Sequence, residues 1–313
     1  MSTTFKKYLE EKDLSKSTIN YYQYYLMDFL AWLDMDNTEA ENATAKEVTA
    51  YLNHLKKKGQ DNKTRNIRLN VIKQFFNYQI QQGQRENNPV QHLKIRGAKR
   101  KKLYPILSIK ELETLYYSYE TPKEDDPRQN RNWYAKYKLT RQRNKVILGL
   151  MIWQGLVTAE VNRLKVIDLR LREGTIYIAG RRKSSERTLE LKPQQIIELM
   201  EYQYTTRTEL LKYCKKENDS LFIGAPSAGK NTATGNDTEN AWKALSQEVK
   251  KICPRFINFK QVRTSVITHW LGQYNLRQVQ YMAGHRYVST TEGYQLNNME
   301  DLQEEINKYH PIG

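Results

Sequence analysis

With 313 residues, 39% of them hydrophobic, the chain can bury enough apolar surface for about two domains. Its 51 basic against 35 acidic side chains leave a net charge of +16, which fits a polyanionic partner such as nucleic acid, or a basic protein without one. Only two cysteines occur, Cys214 and Cys253, with no CxxC pair, so a disulfide framework or zinc knuckle is not expected, and both are expected as buried free thiols in a reducing cytosol. No stretch reaches the ~18 apolar residues of a membrane span, and Met1 to Lys7 lacks the apolar centre of a signal peptide.

The first hundred residues read as helices. Ile19, Tyr22, Leu26, Phe29, Leu30 and Leu33 recur at helical spacing behind Ser17 and Thr18 as start signals. Thr44 and Glu47 have capping-box spacing before Val48, Tyr51, Leu52 and Leu55, and Gly59 stops that helix. A third helix carries Ile67, Val71, Ile72, Phe75 and Phe76, with Lys63, Arg65, Arg68 and Lys73 on its other face as candidate DNA contacts. Asn88-Pro89 closes the region. The basic run Lys94, Arg96, Lys99, Arg100, Lys101 and Lys102 lacks apolar periodicity. It reads as a linker over 96–106, either a solvated strap or one lying along DNA phosphates. The first domain is thus 1–95 and the second 107–313.

Ser108 and Glu111 form a second capping box that opens the second domain. Thr121 to Arg131 is polar and reads as a loop, whereas Val146 to Leu156 is apolar and too long for a strand, hence a buried helix. Thr175–Ala179 and Thr188–Leu191 have strand character around a charged turn, Arg181 to Glu186. Helices are predicted over about 193–215, 238–252, 260–272, 276–284 and, amphipathic, over Met299 to Tyr309. The fold class is therefore mainly α with one small β-hairpin. Gly224 to Lys230 fits most of a phosphate-binding P-loop, but Asn231 stands where magnesium-binding Ser or Thr is needed and no apolar helix follows. A surface loop accounts for it better than an ATPase.

The last sixty residues are more specific. Lys260 and Arg263 stand three apart at the start of an apolar helix, Ala283-Gly284-His285 follows some twenty residues on, and Tyr294 lies nine residues past His285. This ordered set resembles the C-terminal signature of the tyrosine recombinase, or phage-type integrase, family. Upstream, Gln154-Gly155-Leu156-Val157-Thr158-Ala159-Glu160-Val161 resembles the family's first box, Thr-Gly-Leu-Arg-x-x-Glu-Leu, and the turn Gly180 to Arg187 resembles the segment with its catalytic Lys. The first domain resembles the family's helical, SAM-like core-binding domain. The resemblance covers essentially the whole chain.

It implies a C-shaped clamp on double-stranded recombination sites. Tyr294 attacks a phosphodiester to give a 3′-phosphotyrosine, and strands are exchanged through a Holliday junction in a tetramer assembled from monomers. Arg263 and His285 serve the phosphate, Lys260 replaces the family's usual His, and Lys183 is the general acid. No metal, nucleotide or membrane is called for, and the implied setting is the cytoplasm of a bacterium or archaeon. Leu302, Ile306 and Tyr309 make a stripe expected to dock on a neighbouring subunit or on its own domain.

One departure stands out. The first-box Arg is Val157 here, and loss of one preorganised donor commonly costs about 10²–10³ in rate. Arg181 and Arg182 are candidate substitutes, and Arg163 a weaker one. The alternatives are an impaired homologue that binds DNA for architecture or regulation, favoured by Val157, and a type IB topoisomerase, disfavoured by the compact size.

Overall fold

The computed structural model describes residues 2–97, 104–122, 125–182, 184–214, 218–224 and 239–295. The chain divides into two compact units, Met1–Lys102 and Leu103–Gly313.

The first unit contains α1 (Ser2–Glu11), α2 (Lys16–Met35), α3 (Ala45–Lys57) and α4 (Asn62–Gln81). Leu9, Phe29, Leu33, Val48, Leu52, Phe75 and Phe76 share one core. The Thr44–Glu47 capping box forms as the spacing dictates, and α3 ends just before Gly59. The start of α2 is different: Ser15 is the cap and accepts the Thr18 amide, so the helix begins ahead of Ser17.

The basic face expected on α4 is largely absent. Arg65 and Arg68 are buried, whereas Ile67, expected in the core, is 38% exposed. The core positions run through Leu69, Val71, Ile72, Phe75 and Phe76, a helical stripe that leaves Ile67 on the outer side. Arg65 donates to the Leu52 carbonyl and to Asn62. Arg68 donates to the Tyr51 hydroxyl at 2.7 Å and pairs with Asp28, while Tyr51 donates to Asp28 at 2.7 Å. Lys73 is half-buried and donates to the carbonyls of Gln91 and Leu93, holding the segment after Pro89. Lys63 alone of these four is exposed. Lys99, Arg100, Lys101 and Lys102 lie outside the described residues.

The second unit begins with α5 (Ile109–Tyr117), capped by Ser108 and Glu111 as expected, and α6 (Tyr134–Trp153). Helix α6 is longer than its apolar stretch suggests, because its polar first half precedes the fully buried run Val146 to Ile152. A short α7 (Thr158–Val161) leads to β1 (Leu169–Arg170), β2 (Thr175–Ile178) and β3 (Arg187–Glu190), an antiparallel sheet of order β1-β2-β3. The predicted hairpin pairs Ile176 with Leu189 and Ile178 with Arg187. Strand β1, two residues long, has too few positions to show alternation in sequence.

Then follow α8 (Pro193–Glu201), a π-turn (Tyr202–Thr206) and α9 (Arg207–Leu211), where one continuous helix is expected from sequence. The π-turn buries both Tyr202 and Thr206, which bond the Leu221 carbonyl and Gln142. Helices α10 (Glu239–Ile252), α11 (Phe259–Leu271) and α12 (Leu276–Ala283) match their predicted spans, and residues 288–295 form a further helical stretch that the Ser/Thr/Gly-rich sequence conceals. Cys253 is buried, but Cys214 is only half-buried, at the polar end of α9. Of the P-loop-like run, Gly224 is described and follows the buried Leu221-Phe222-Ile223; the rest, and the tail with Leu302, Ile306 and Tyr309, lie outside the described residues.

Arg68 thus serves the first unit's interior. Arg68→Ala is expected to lower unfolding stability by about 1–3 kcal/mol, since it removes the donor to Tyr51 and Asp28. Denaturant unfolding measures this; unchanged stability would contradict it.

Candidate active site

Four chain segments of the second unit meet around one carboxylate. The first is the turn between α6 and α7. Gly155 adopts the left-handed conformation, φ 60°, and a Cβ there would press on Trp270 at 3.0 Å. Its carbonyl accepts a hydrogen bond from Arg263 Nη1. Val157 precedes α7, and its amide donates to Glu160 Oε2 at 3.0 Å.

The second segment is the head of β3. Positions 187, 189 and 191 share one face of the sheet, so Arg187 points inward with Leu189 and Leu191. Its guanidinium, with no solvent exposure, donates to Glu160 Oε1 at 2.9 Å and Oε2 at 3.1 Å. This is the bidentate geometry that matches guanidinium to carboxylate.

The third segment is α11, on which Arg263 is 8% exposed. Arg263 Nη2 donates to the Ala283 carbonyl at 2.6 Å, and Nη1 lies 3.8 Å from Glu160 Oε2. Two backbone carbonyls, of Gly155 and Ala283, one on each terminal nitrogen, therefore aim the guanidinium. Burial pushes the charged form of Arg263 down, and Glu160 restores part of it. Burial likewise pushes the Glu160 carboxyl up, but the hydrogen bonds and charge of Arg187, with the charge of Arg263, outweigh this and hold it below the ordinary carboxylate range.

The fourth segment is the turn after α12 and the 288–295 helix. Gly284 has φ 65°, and a Cβ on it would overlap the Arg187 guanidinium, so only glycine lets the turn lie against that charge. The hairpin is tied to the same turn: Ser185 donates its amide to the Gly284 carbonyl at 3.0 Å, and Ser184 bridges His285. His285 Nε2 faces Arg263 Nη2 at 3.4 Å and Nδ1 contacts the Thr291 hydroxyl at 2.9 Å. Because a guanidinium cannot accept, Nε2 is the acceptor there and Nδ1–H donates to Thr291. Burial, and then the charges of Arg263 and Arg187, lower the His285 pKa to about 4. The Tyr294 ring stacks on His285 with centroids 5.5 Å apart and planes 12° from parallel, and its side chain is hydrogen-bonded to Arg263.

Of the residues expected from sequence, Arg263, His285 and Tyr294 come together. Lys260 lies one turn before Arg263 on α11, exposed, with its amino group 5.9 Å from the Tyr104 ring centre. Lys183 lies outside the described residues. Arg181 and Arg182 are exposed in the hairpin turn beside His285, and Arg286 donates to the Arg182 carbonyl. Arg163 is half-buried and feels the charges of Arg181, Glu160 and Arg187. Sequence reasoning missed Arg187 and Thr291 as members of the site. Strand parity was the available signal for Arg187; none marks Thr291.

A buried arginine aimed by carbonyls, with a neutral histidine and a tyrosine stacked on it, suits transfer of a phosphoryl ester to a phenolic oxygen. The comparisons with known proteins agree with that class. Residues 3–83 match the phage integrase N-terminal SAM-like domain, and residues 130–301 match the phage integrase family. The chain belongs to the phage integrase family and is a tyrosine recombinase, an enzyme of site-specific DNA cleavage and rejoining. It is 29% identical to tyrosine recombinase XerC of Natranaerobius thermophilus, over 96% of this chain and 95% of the relative. It is 24% identical to tyrosine recombinase XerA of Pyrococcus furiosus, over 97% and 92%. In fold it is similar to the XerH site-specific recombinase bound to its difH substrate, with a TM-score of 0.66 at 18% identity over 94% of this chain and 82% of the other. A lambda integrase tetramer bound to a Holliday junction gives a TM-score of 0.62 at 15% identity, over 93% and 74%.

The state of His285 has a consequence for stability. Its folded pKa, about 4, lies below the ordinary 6.5, so the unfolded chain binds a proton more readily in that window. The stability His285 permits is complete above about pH 6.5 and is lost as pH falls towards 4. The melting temperature of the wild type should therefore fall relative to that of His285→Gln across this window. Parallel curves would contradict the assignment.

Proposed function

We propose that Tyr294 is the nucleophile and that Arg263 and His285 hold the scissile phosphate of double-stranded DNA. The observation that carries this reading is the convergence of these three side chains, Arg263 from α11 and His285 and Tyr294 from the segment after α12. In the step itself a bond forms between Tyr294 Oη and phosphorus while the bond from phosphorus to the 5′ oxygen breaks. The phenolic proton passes to solvent water, and the 5′ oxygen takes one from a general acid, for which Lys183 in the hairpin turn is the candidate. The resulting 3′-phosphotyrosine conserves the ester bond for rejoining, so neither nucleotide nor metal is consumed.

Charge in the transition state is best met by more than one cation. With Val157 apolar, Arg181 and Arg182 are the side chains we assign to supply it, because Ser184 and Ser185 fasten their turn to the His285 turn. Lys260, one helical turn before Arg263, adds a further phosphate donor. Both units contribute to DNA binding as a C-shaped clamp, the first through Lys63 and the 99–102 run. Four subunits exchange strands through a Holliday junction, in the cytoplasm of a bacterial or archaeal cell. The lambda integrase neighbour, solved as a tetramer on such a junction, supports this assembly.

The test uses duplexes recovered from a random pool by binding to the full chain, then nicked at successive positions. The wild type should form a covalent adduct in EDTA without ATP, and Tyr294→Phe should bind equally but form none. Arg181→Ala or Arg182→Ala should lower the adduct yield by more than about tenfold. Adduct from Tyr294→Phe would overturn the nucleophile assignment. No adduct from the wild type but clear adduct from Val157→Arg would favour the second reading, a DNA-binding homologue with impaired catalysis, which rests on Val157.

A further inference from the structure

Arg187 ends the hairpin-turn segment without a role assigned to it from sequence, yet it sits at the centre of the site. Its guanidinium is wholly buried, clasps Glu160 with two hydrogen bonds, and lies beneath the glycine that presents His285. Its Nε atom has no hydrogen-bond partner. Enclosed in this way, it cannot itself reach a phosphate.

What it can do follows from charge. Glu160 is a buried carboxylate with two guanidiniums near it, Arg187 at 2.9 Å and Arg263 at 3.8 Å. A buried carboxylate takes the cation available to it, because an unpaired charge there is costly. Without Arg187, Glu160 would draw Arg263 into a full ion pair and cancel the charge meant for the phosphate. With Arg187 present, Glu160 is already satisfied. The cluster of two guanidiniums and one carboxylate then keeps one net positive charge, on the arginine that faces His285 and Tyr294.

We propose that Arg187 is a positioning residue of this enzyme, neutralising Glu160 so that Arg263 stays free for the scissile phosphate. The absence of an arginine at position 157 makes this more consequential, since Arg263 is then the buried cation available to the ester. The proposal rests on the reading that Arg263 binds phosphate.

The experiment is a double-mutant cycle of Arg187→Met and Glu160→Gln in the full chain. Its readouts are the rate of adduct formation on the pool-selected nicked duplex at saturation, the half-saturating DNA concentration, the melting profile, and the titration of His285 by NMR. Arg187→Met should slow adduct formation at least about 30-fold with half-saturation changed less than about threefold, because the loss falls on transition-state charge. The His285 pKa should rise, since a cation is lost and a carboxylate uncovered. Adding Glu160→Gln should recover at least about tenfold in rate and return the His285 titration towards its starting point. Arg187→Lys, which keeps the charge with one fewer hydrogen bond, should fall between wild type and Arg187→Met.

A folded double variant no faster than folded Arg187→Met would overturn the proposal. Should Arg187→Met fail to fold, the decisive comparison is the cost of Arg187→Met in the Glu160→Gln background. A loss there below about threefold supports the proposal, and one above about tenfold overturns it. Adduct formation indifferent to Arg263→Ala would instead bring down the phosphate reading beneath it.

Discussion

One buried carboxylate organises the second unit. Glu160 bonds the amide that starts α7, clasps Arg187 at the head of β3, and stands within ion-pair reach of Arg263 on α11. Three elements distant in sequence are thereby fixed by one side chain of 5% exposure. A charge so buried is tolerated only because its partners are ionic and well aligned, and removing one of a pair typically costs about 3–5 kcal/mol. The same constraint explains Gly284. The turn that delivers His285 lies against Arg187, and a side chain there would collide with the charge that satisfies Glu160.

From this anchor the chemistry follows by short steps. Arg263 is oriented by the carbonyls of Gly155 and Ala283, so its position is set by backbone before any DNA arrives. His285 is kept neutral by burial and by the neighbouring guanidiniums, which leaves one ring nitrogen donating and one accepting. Thr291 can accept from or donate to Nδ1, so a phosphate oxygen at Nε2 can be met by the other tautomer without moving the ring. Thr291 and Tyr294 lie one turn apart in the same helical stretch, which links the histidine's orientation to that of the tyrosine.

Much of this was legible in the sequence. The helical character of the first unit, two capping boxes, the hairpin, and the convergence of Arg263, His285 and Tyr294 follow from periodicity, cap chemistry and the ordered motif. The errors share a physical cause. Charge normally implies exposure, so the sequence places Arg65 and Arg68 in a DNA-facing row, but each finds a buried acceptor on α3, the Leu52 carbonyl or the Tyr51 hydroxyl, that helical periodicity cannot reveal. Ile67 was read inward because a stripe one residue wide leaves the boundary positions undecided. Arg187 lay hidden at the edge of a turn rich in charges, with only strand parity to mark it as inward. The 288–295 helix is held by tertiary contact, through Thr291 and Tyr294, and not by local propensity.

Charge in this protein therefore divides into two kinds. Arg65, Arg68, Arg143 and Arg187 are buried and build the interior, whereas Arg181 and Lys63 are exposed and, in the proposed function, face the DNA. The central claim is that Arg263, released by the Arg187–Glu160 pair, receives the phosphate. A crystal structure of Tyr294→Phe with an intact pool-selected duplex tests it most directly. The account predicts a non-bridging phosphate oxygen within hydrogen-bond distance of both Arg263 and His285, with Arg187 still bidentate on Glu160. A phosphate held by Arg187, or Arg263 collapsed onto Glu160 with the phosphate elsewhere, would contradict it.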